Sequence, residues 1–189
     1  MVPVPVLIEG TLRLQPFSLD DVGAYAHHFV DYEVVRHLSS KVPWPYPSDG
    51  VAAFFNHVMP LQGLSRWSWT LRREPDPDVI IGAIELWTPG IPEHRGFWLG
   101  RPYWGNGYMT LAADLVNRFA FEQLDVDRLV LSNAHGNDRS RRVKERQGAR
   151  FIGLRPASFV DPRYTHAEIW EITKSDWSTS PRQVRGTAS

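Results

Sequence analysis

The chain has 189 residues, 42% hydrophobic and 22% charged, which suits a single domain with a substantial core. Its 21 basic and 21 acidic residues cancel, so no global field favours nucleic acid or an anionic membrane as partner. The absence of cysteine excludes disulfides and thiol nucleophiles, and no apolar run approaches the roughly 20 residues of a membrane span, so we expect a cytoplasmic protein.

Short strands and short helices alternate in the first half of the chain. Alternating or continuous apolar residues predict four strands, of which the run from Val79 is apolar on both faces and therefore central in a sheet. Helical spacing after polar N-cap candidates predicts three helices. The predicted strands are 11–14, 65–71, 79–87 and 97–99, and the predicted helices are 21–30, 31–38 and 49–59.

A proline-rich loop at 39–48, SSKVPWPYPS, carries two aromatic residues, Trp44 and Tyr46. Aromatic side chains on such a loop have two explanations. They cover the hydrophobic core, or they line a pocket for a small or peptide-like acceptor. Both explanations remain open from the sequence, and Trp44 and Tyr46 are candidate substrate-binding residues.

The stretch 95–121 reads as a strand, a glycine loop and a helix. Gly105 and Gly107 interrupt the regular pattern, and apolar residues recur at helical spacing from Tyr108 onward. The N–H groups at a helix start lack intrahelical partners and attract anions, and glycine lets a ligand approach them closely. The pattern favours a phosphate cradle, with an ordinary tight turn as the alternative.

Two common phosphate motifs do not fit this loop. A P-loop requires Gly-Lys-Ser/Thr, whereas Gly107 is followed by Tyr108 and Met109. A dinucleotide fingerprint requires a small residue at Thr110 and an acid at the end of the next strand, which instead ends in Ser132. A Rossmann nucleotide site is therefore not expected.

The remaining segments complete a mixed α/β pattern. We predict a strand at 128–132, a helix within 136–148 and a closing antiparallel pair at 151–154 and 167–172. Residues 178–189 are small and polar, and we predict a disordered tail there. This order predicts a mixed sheet with helices on both faces.

The loop 99–110, LGRPYWGNGYMT, resembles the acyl-coenzyme A loop of the GNAT acetyltransferases, Gln/Arg-x-x-Gly-x-Gly/Ala. It most resembles the RimJ/RimL-like branch, which commonly reads Tyr-Trp-Gly-x-Gly-Tyr. Trp104 takes the Gln/Arg position, and Met109 stands where the pattern has Gly or Ala. The resemblance implies coenzyme A contacts from Trp98, Leu99, Gly100, Trp104, Gly105, Asn106, Gly107, Tyr108, Met109 and Thr110.

The element order also resembles the GNAT fold, from about residue 11 to residue 177. The resemblance implies one acetyltransferase domain over 1–177. It further implies a mostly antiparallel sheet of six to seven strands, with one parallel pair splayed at the coenzyme A site. A main-chain amide of Trp98 or Leu99 would face the developing oxyanion there.

The segment 137–151, NDRSRRVKERQGARF, resembles the helix of the same branch that reads Asn-x-x-Ser, Arg-Val, Gly and Phe. Many GNAT enzymes carry a tyrosine on this helix that protonates the departing thiolate, and Lys144 occupies that position here. In the branch that uses serine, the matching residue is Ser140, with Asn137 as its neighbour in the motif. The alternative is that Ser140 is a polar helix residue without chemistry.

The same helix is rich in arginine, and three explanations stand side by side. The charges form a solvated face, or they pair with the 3'-phosphate of coenzyme A, for which we choose Arg142, or they bind nucleic acid. The chain has no net charge, so its composition does not indicate the wider basic surface that nucleic acid requires. The basic residues concerned are Arg139, Arg141, Arg142, Lys144, Arg146 and Arg150.

Acyl transfer from a thioester to an amine requires a base, and Glu85 is the first candidate. It shares a strand face with Ile81, Ala83 and Trp87, an apolar setting that would raise the pKa of a carboxyl group. Trp87 is then a candidate acceptor contact. The alternatives are a buried acid paired with an arginine, or a base at His94 or His135.

Together these features predict an acetyl-CoA-dependent N-acyltransferase, with direct attack by the amine because no cysteine can carry the acyl group. The acceptor is a protein N-terminus, such as that of a ribosomal protein, or a small-molecule amine. No metal is expected, since no cluster has ligand spacing. The chain could assemble as a homodimer. The rival function is a non-catalytic nucleic-acid or protein-binding module that uses the arginine-rich helix.

Overall fold

A single eight-stranded sheet organises the protein, whose computed structural model describes residues 1–90 and 93–179. The strand order is β1-β2-β3-β4-β5-β6-β8-β7. The strands are β1 Leu7–Glu9, β2 Leu12–Pro16, β3 Arg66–Arg73, β4 Gly82–Trp87, β5 Arg95–Leu99, β6 Arg128–Ala134, β7 Arg150–Pro156 and β8 His166–Thr173. The helices are α1 Val22–Ala26, α2 Tyr32–Val35, α3 Gly50–Val58, α4 Tyr108–Gln123, α5 Asp138–Arg146 and α6 Lys174–Ser178.

The predicted mixed α/β fold is confirmed, with more strands than expected. The sheet has eight strands rather than six or seven, and five rather than four precede the glycine loop. The additional strand is β1, which pairs antiparallel with β2 through Leu7 and Leu14. Its three residues are too few for an alternating pattern to identify from the sequence.

The sheet buries a hydrophobic core on each face. One core packs the apolar stripe of α4 against β2, β3 and β4, with Val116 and Phe119 facing Trp69 and Ile84. The other packs α1, α2 and α3 against Ala83 and Trp98 of the central strands. Because side chains alternate along a strand, β4 and β5 contribute to both cores.

The central strand β4 is shorter than the sequence predicts. The apolar run begins at Val79, but the strand begins at Gly82, and Ile80 and Ile81 precede it. Ile80 packs into the core beside α1–α3, whereas Ile81 packs into the core beneath α4. Two buried residues outside a strand therefore produced the continuous apolar run.

Strands β5 and β6 form the one parallel pair of the described sheet, and that pairing is minimal. Its pairing with β4 extends from Gly82 and Leu99 to Leu86 and Arg95, while its pairing with β6 consists of Arg95 opposite Leu131. The two strands therefore diverge beyond Arg95. The splayed parallel pair expected from the resemblance is confirmed.

The described chain ends in a short capped helix. The Thr173 hydroxyl accepts a hydrogen bond from Asp176 N at the start of α6, and Trp177 packs against Phe121. The predicted disordered tail begins at Ser178, which is the last residue of α6, so this boundary is too early. The rest of the predicted tail, 180–189, lies outside the described residues. Within the described part, no helix is long and apolar enough to cross a membrane.

A buried arginine connects β5 to both helices on the α4 face. Arg95 Nη1 donates to Asn117 Oδ1 on α4 at 2.6 Å, and Nη2 donates to Gln147 Oε1 after α5 at 2.9 Å. Burial lowers the pKa of Arg95 to about 10. The guanidinium thereby ties the residue of β5 that pairs with β6 to α4 and to the end of α5.

We expect Arg95→Ala to destabilise the protein by about 3 kcal/mol or more, because it leaves two buried amide oxygens unpaired and opens a cavity. Urea unfolding followed by tryptophan fluorescence measures this loss. The matched control is Arg118→Ala on the exposed face of α4, which should change the free energy of unfolding by less than about 0.5 kcal/mol. Equal losses in the two variants would contradict the role of Arg95.

Candidate active site

A cavity of about 970 Å³ opens where β5 and β6 diverge. Its walls come from β4, β5, the start of α4, one face of α5 and the segment that carries α1 to α3. Of the residues predicted for the site, the cavity is lined by Tyr46, Glu85, Trp87, Trp98, Leu99, Trp104, Gly105, Gly107, Tyr108, Met109, Thr110, Asn137, Ser140 and Arg142.

The glycine loop presents the start of α4 to this cavity. Gly105 and Gly107 have φ values of 81° and 80°, in the left-handed region that glycine adopts without strain. Thr110 N and Leu111 N both donate to Gly107 O, so they are the first intrahelical donors. The amides of Tyr108 and Met109 precede them and have no carbonyl available within the helix, as an anion site requires.

Side chains of the loop hold its shape. Trp104 Nε1 donates to Leu99 O at 2.7 Å, which folds the loop back onto β5. Asn106 Nδ2 donates to the carbonyls of Tyr103 and Trp104, and Asn106 does not line the cavity. Gly100 also lies outside the lining, where a Cβ would meet the His28 ring at 2.8 Å. Asn106 and Gly100 therefore contribute to the shape of the loop.

Met109 and Thr110 have buried side chains at the first turn of α4, exposed by only 6% and 3%. Met109 packs in the core beneath the helix. A large side chain at the Gly/Ala position of the motif is therefore accommodated by the core.

One face of α5 carries positive charge to the cavity. Arg139, Arg142 and Arg146 line it, spaced by three and four residues as on one helical face. The Arg139 guanidinium carbon lies 3.9 Å from the centroid of the Trp104 ring. The sequence drew attention to the charge run but not to this stacking, which requires two segments that are distant in sequence to meet.

The remaining basic residues of this segment have other partners. Arg141 forms an ion pair with the buried carboxylate of Glu168 on β8. Arg150 pairs with Glu171 at the sheet surface, 2.9 Å apart. Three arginines of the run therefore face the cavity, while Arg141 and Arg150 pair with carboxylates of β8.

Ser140 lies at the start of α5 with its side chain at the cavity wall. Asn137 caps this helix, since its Oδ1 accepts a hydrogen bond from Ser140 N at 3.3 Å. The Ser140 hydroxyl accepts a hydrogen bond from Lys144 Nζ at 2.9 Å. The motif residues Asn137 and Ser140 are thus joined by local helix geometry, and Lys144 adds a contact that the motif does not include.

Glu85 lines the cavity in a more polar setting than the sequence predicted. Its Oε2 accepts hydrogen bonds from Arg66 Nε at 2.7 Å and from Ser68 Oγ at 2.8 Å. The expected apolar surroundings are wrong, because β3 places Ser68 directly opposite Glu85 and Arg66 reaches over from the same strand. The paired-acid alternative describes the contacts of this carboxylate.

Tyr46 and Trp44 separate in the structure. Tyr46 lines the cavity and packs on Phe29, with ring centroids 4.9 Å apart. The Tyr46 ring lies so close to Gly50 that a Cβ there would approach it to 2.7 Å. Trp44 packs on Tyr32 and is not among the residues that line the cavity. Trp44 and Tyr46, two positions apart in one loop, therefore point their side chains in different directions.

Neither alternative base lines the cavity. His94 Nδ1 accepts a hydrogen bond from Val130 N at 2.9 Å, and His135 Nδ1 contacts Glu168 Oε1 at 2.9 Å. The histidine that does line the cavity is His37, which the sequence did not single out. Burial, with Arg36 and Arg139 nearby, lowers the pKa of His37 to about 4, so it is neutral at pH 7.

The backbone register distinguishes the two candidate oxyanion donors. Leu99 lies opposite Gly82, and Gly100 N donates to Ile81 O at 2.9 Å. In an antiparallel ladder this pattern turns the N–H of Trp98 toward β4 and that of Leu99 away from it. The Leu99 amide therefore faces the gap beside β6.

The Trp98 side chain has a structural role on the sheet face that packs against α1 to α3. Its Nε1 donates to the Tyr25 hydroxyl at 2.6 Å, and both residues are buried. Burial, with Glu85 nearby, raises the pKa of Tyr25 well above its usual value.

Within the described residues, no group of three or more His, Asp or Glu side chains could hold a metal ion.

Comparison with known proteins gives the family. The acetyltransferase (GNAT) domain family matches residues 11–150. YdaF of Bacillus subtilis (strain 168), provisionally named a ribosomal N-acetyltransferase, is 30% identical over 83 residues, which are 43% of this chain and 45% of YdaF.

Solved structures share the fold over nearly the whole chain. Mycobacterium smegmatis RimJ, solved with a CoA-disulfide, has a TM-score of 0.80 at 15% identity and covers 98% of this chain and 97% of its own. RimL, a ribosomal L7/L12 α-N-protein acetyltransferase solved with coenzyme A, has a TM-score of 0.75 at 15% identity and covers 89% and 98%. With the family match over residues 11–150, the chain belongs to the GNAT acetyltransferase family.

Proposed function

We propose that the protein is an N-acyltransferase that moves an acetyl group from acetyl-CoA to a primary amine by direct attack. One observation carries the proposal: a single cavity joins an anion-binding helix start to a carboxylate through the gap between β5 and β6. The two substrates of the reaction require such ends, one for phosphates and one for an amine.

The coenzyme A end is built from the glycine loop and α5. The amides of Tyr108 and Met109 receive the pyrophosphate, and the α4 macrodipole favours its charge. Arg142 and Arg146 on the cavity face of α5 provide forks for the 3'-phosphate. Arg139 stacked on Trp104 closes the space between the loop and α5.

The reacting end lies beside β4 and β5. The Leu99 amide donates to the oxygen on which charge develops, as an oxyanion donor must. Glu85 accepts the proton of the attacking amine, directly or through water, and Arg66 and Ser68 hold its carboxylate in place. Ser140 on the opposite wall donates a proton to the departing thiolate.

The acceptor that we favour is the N-terminal amine of a protein. The ribosomal-protein names of YdaF and RimL support this class, with small-molecule amines as the alternative. Tyr46 and Trp87 provide aromatic walls for the residues next to the amine. A panel of basic, neutral and acidic N-terminal peptides with a set of polyamines and amino acids, assayed for free-thiol release, distinguishes the two classes.

Coenzyme A should stabilise the folded protein by about 2.7 kcal/mol at 100 times Kd, raising Tm by about 5 to 10 °C. NADH and ATP should give much smaller shifts in the same thermal-unfolding assay.

Gly107→Asp adds a carboxylate beside the pyrophosphate amides, and we expect coenzyme A affinity to fall at least tenfold, about 1.4 kcal/mol.

The control for Gly107→Asp is Gly10→Asp in the turn between β1 and β2. Gly10 also has a positive φ, 56°, with open space around its Cα, so the variant has similar backbone strain without touching the cavity. It should lower Tm yet bind coenzyme A normally. Loss of binding in both variants, or in neither, would refute the proposed cradle.

Tyr46→Ala should raise KM for the amine several-fold and leave KM for acetyl-CoA nearly unchanged, because the ring lines the acceptor side of the cavity. Trp44→Ala is the matched control from the same loop, and both constants should stay near wild type. Steady-state kinetics with each substrate varied in turn measures the difference. A defect confined to acetyl-CoA would remove Tyr46 from the acceptor side.

Glu85→Gln should lower kcat/KM for the amine by about 10² to 10⁴, since it removes the proton acceptor while keeping the shape of the side chain. The loss should be largest at low pH, and raising the pH should partly restore activity because more of the amine is then neutral. The measurement is kcat/KM from pH 6 to pH 10. An unaltered profile in a folded variant would assign the base to a water molecule instead.

A further inference from the structure

Lys144 and Ser140 form a hydrogen-bonded pair on one helix, one turn apart. Lys144 Nζ donates to Ser140 Oγ at 2.9 Å and to the Ser140 carbonyl at 3.3 Å. Because Oγ accepts this bond, the hydroxyl hydrogen is free to point elsewhere. Ser140 lines the cavity, so the contact from Lys144 leaves that hydrogen available to a group inside it.

The ammonium group is enclosed by protein. Lys144 is exposed by only 1%, and its Nζ lies 5.4 Å from the centroid of the Phe97 ring on β5. Enclosing a lysine is costly unless its protons find acceptors, and both hydrogen bonds from Nζ among the described residues go to Ser140. The fold therefore commits this side chain to one partner.

Charged groups reach Lys144 from three other elements. Arg95 of β5 repels the ammonium, while Glu168 of β8 and Glu93 just before β5 attract it. Burial and Arg95 hold the pKa of Lys144 well below that of an ordinary lysine. The Glu168 carboxylate is shared with Arg141, His135 and Asn133, so it does not offset this effect alone.

We propose that Lys144 is a positioning residue that holds the Ser140 hydroxyl with its hydrogen toward the cavity and replaces that proton once it has been donated. The inference rests on the proposed acetyl transfer and assigns a role to the residue that occupies the position of the family's tyrosine. Lys144 touches no substrate and acts through Ser140.

The amine nitrogen first bonds to the acetyl carbon. The carbon–sulfur bond then breaks with its electron pair staying on sulfur, and the thiolate takes the Ser140 hydroxyl proton. Ser140 Oγ takes a proton from the Lys144 ammonium along the existing hydrogen bond, which leaves neutral Lys144. Water in the cavity then returns a proton to Lys144 through Ser140, the partner of both Nζ hydrogen bonds among the described residues, while the proton lost by the attacking amine leaves through Glu85.

The test is a double-mutant cycle of Lys144→Met, Ser140→Ala and the double variant, with kcat and coenzyme A affinity measured for each. Methionine keeps the length and apolar stem of lysine. We expect each single variant to lose about tenfold in kcat with coenzyme A affinity within twofold of wild type, and the double variant to lose no more than Ser140→Ala alone. Lys174→Met, at an exposed site on α6, is the control and should keep wild-type kcat.

The pH profile separates this role from a purely structural one. In the wild type, kcat should fall as the pH rises through the lowered pKa of Lys144, and this basic limb should be absent in Lys144→Met. A Lys144→Met enzyme that keeps its kcat, a basic limb that persists, or losses that multiply in the double variant would overturn the proposal.

A second measurement needs neither activity nor the methionine variant. The chain contains three lysines, Lys41, Lys144 and Lys174, so replacing the other two with arginine leaves one lysine signal for ¹³C NMR titration. That signal should titrate below the range of an ordinary lysine and shift in Ser140→Ala. Indifference to Ser140→Ala refutes the pairing. Absence of acetyl transfer in the wild type with the pairing intact refutes only the proposed function.

Discussion

The structure depends on how far β5 remains paired. One edge of this strand is hydrogen-bonded along its length to β4, while the other meets β6 only at Arg95. A sheet that stayed closed here would satisfy every backbone group and leave no opening. The divergence leaves the Leu99 amide facing a gap, and the cavity forms around it. The substrate contacts proposed above all come from residues that line this cavity.

Keeping the strands apart requires support on the α4 face, and buried polar groups provide it. Arg95 donates to Asn117 on α4 and to Gln147 after α5, at the point where the strands separate. Lys144 lies in the same layer and shares its electrostatic environment. Two enclosed cations so close together are unfavourable unless their protons are accepted, so hydrogen bonds must define this layer closely. The same constraint that fixes the fold thus also orients Ser140.

Much of the fold follows from local patterns, whereas the site depends on contacts that patterns do not contain. The start of α4 at Gly107 and the closing pair β7–β8 are local, and both are confirmed. The partner of Glu85 is not local, because Arg66 is 19 positions away on a neighbouring strand. The apolar composition of β4 therefore predicted apolar surroundings for Glu85, whereas its carboxylate has polar partners on β3.

The partners of the arginines in α5 also depend on the tertiary structure. The charges of this helix look alike in sequence, yet Arg141 turns to Glu168 and Arg139 turns to Trp104. Helical spacing separates these two directions once the side of the helix that faces the cavity is known, and only the tertiary structure supplies that. The separation of Trp44 from Tyr46 has the same cause, since these two residues flank a single proline, Pro45, and only the tertiary structure shows which of them turns to the cavity.

The burial of the Met109 side chain affects which residues this position can accept. This side chain packs in the core while the residue also lines the cavity, so the proposed ligand would constrain the backbone of this position and the core constrains its size. Natural variation at position 109 should therefore follow the volume of its neighbours under α4 rather than the chemistry of the bound phosphate. A search pattern that demands glycine or alanine there would pass over chains in which a large apolar residue fills the same space.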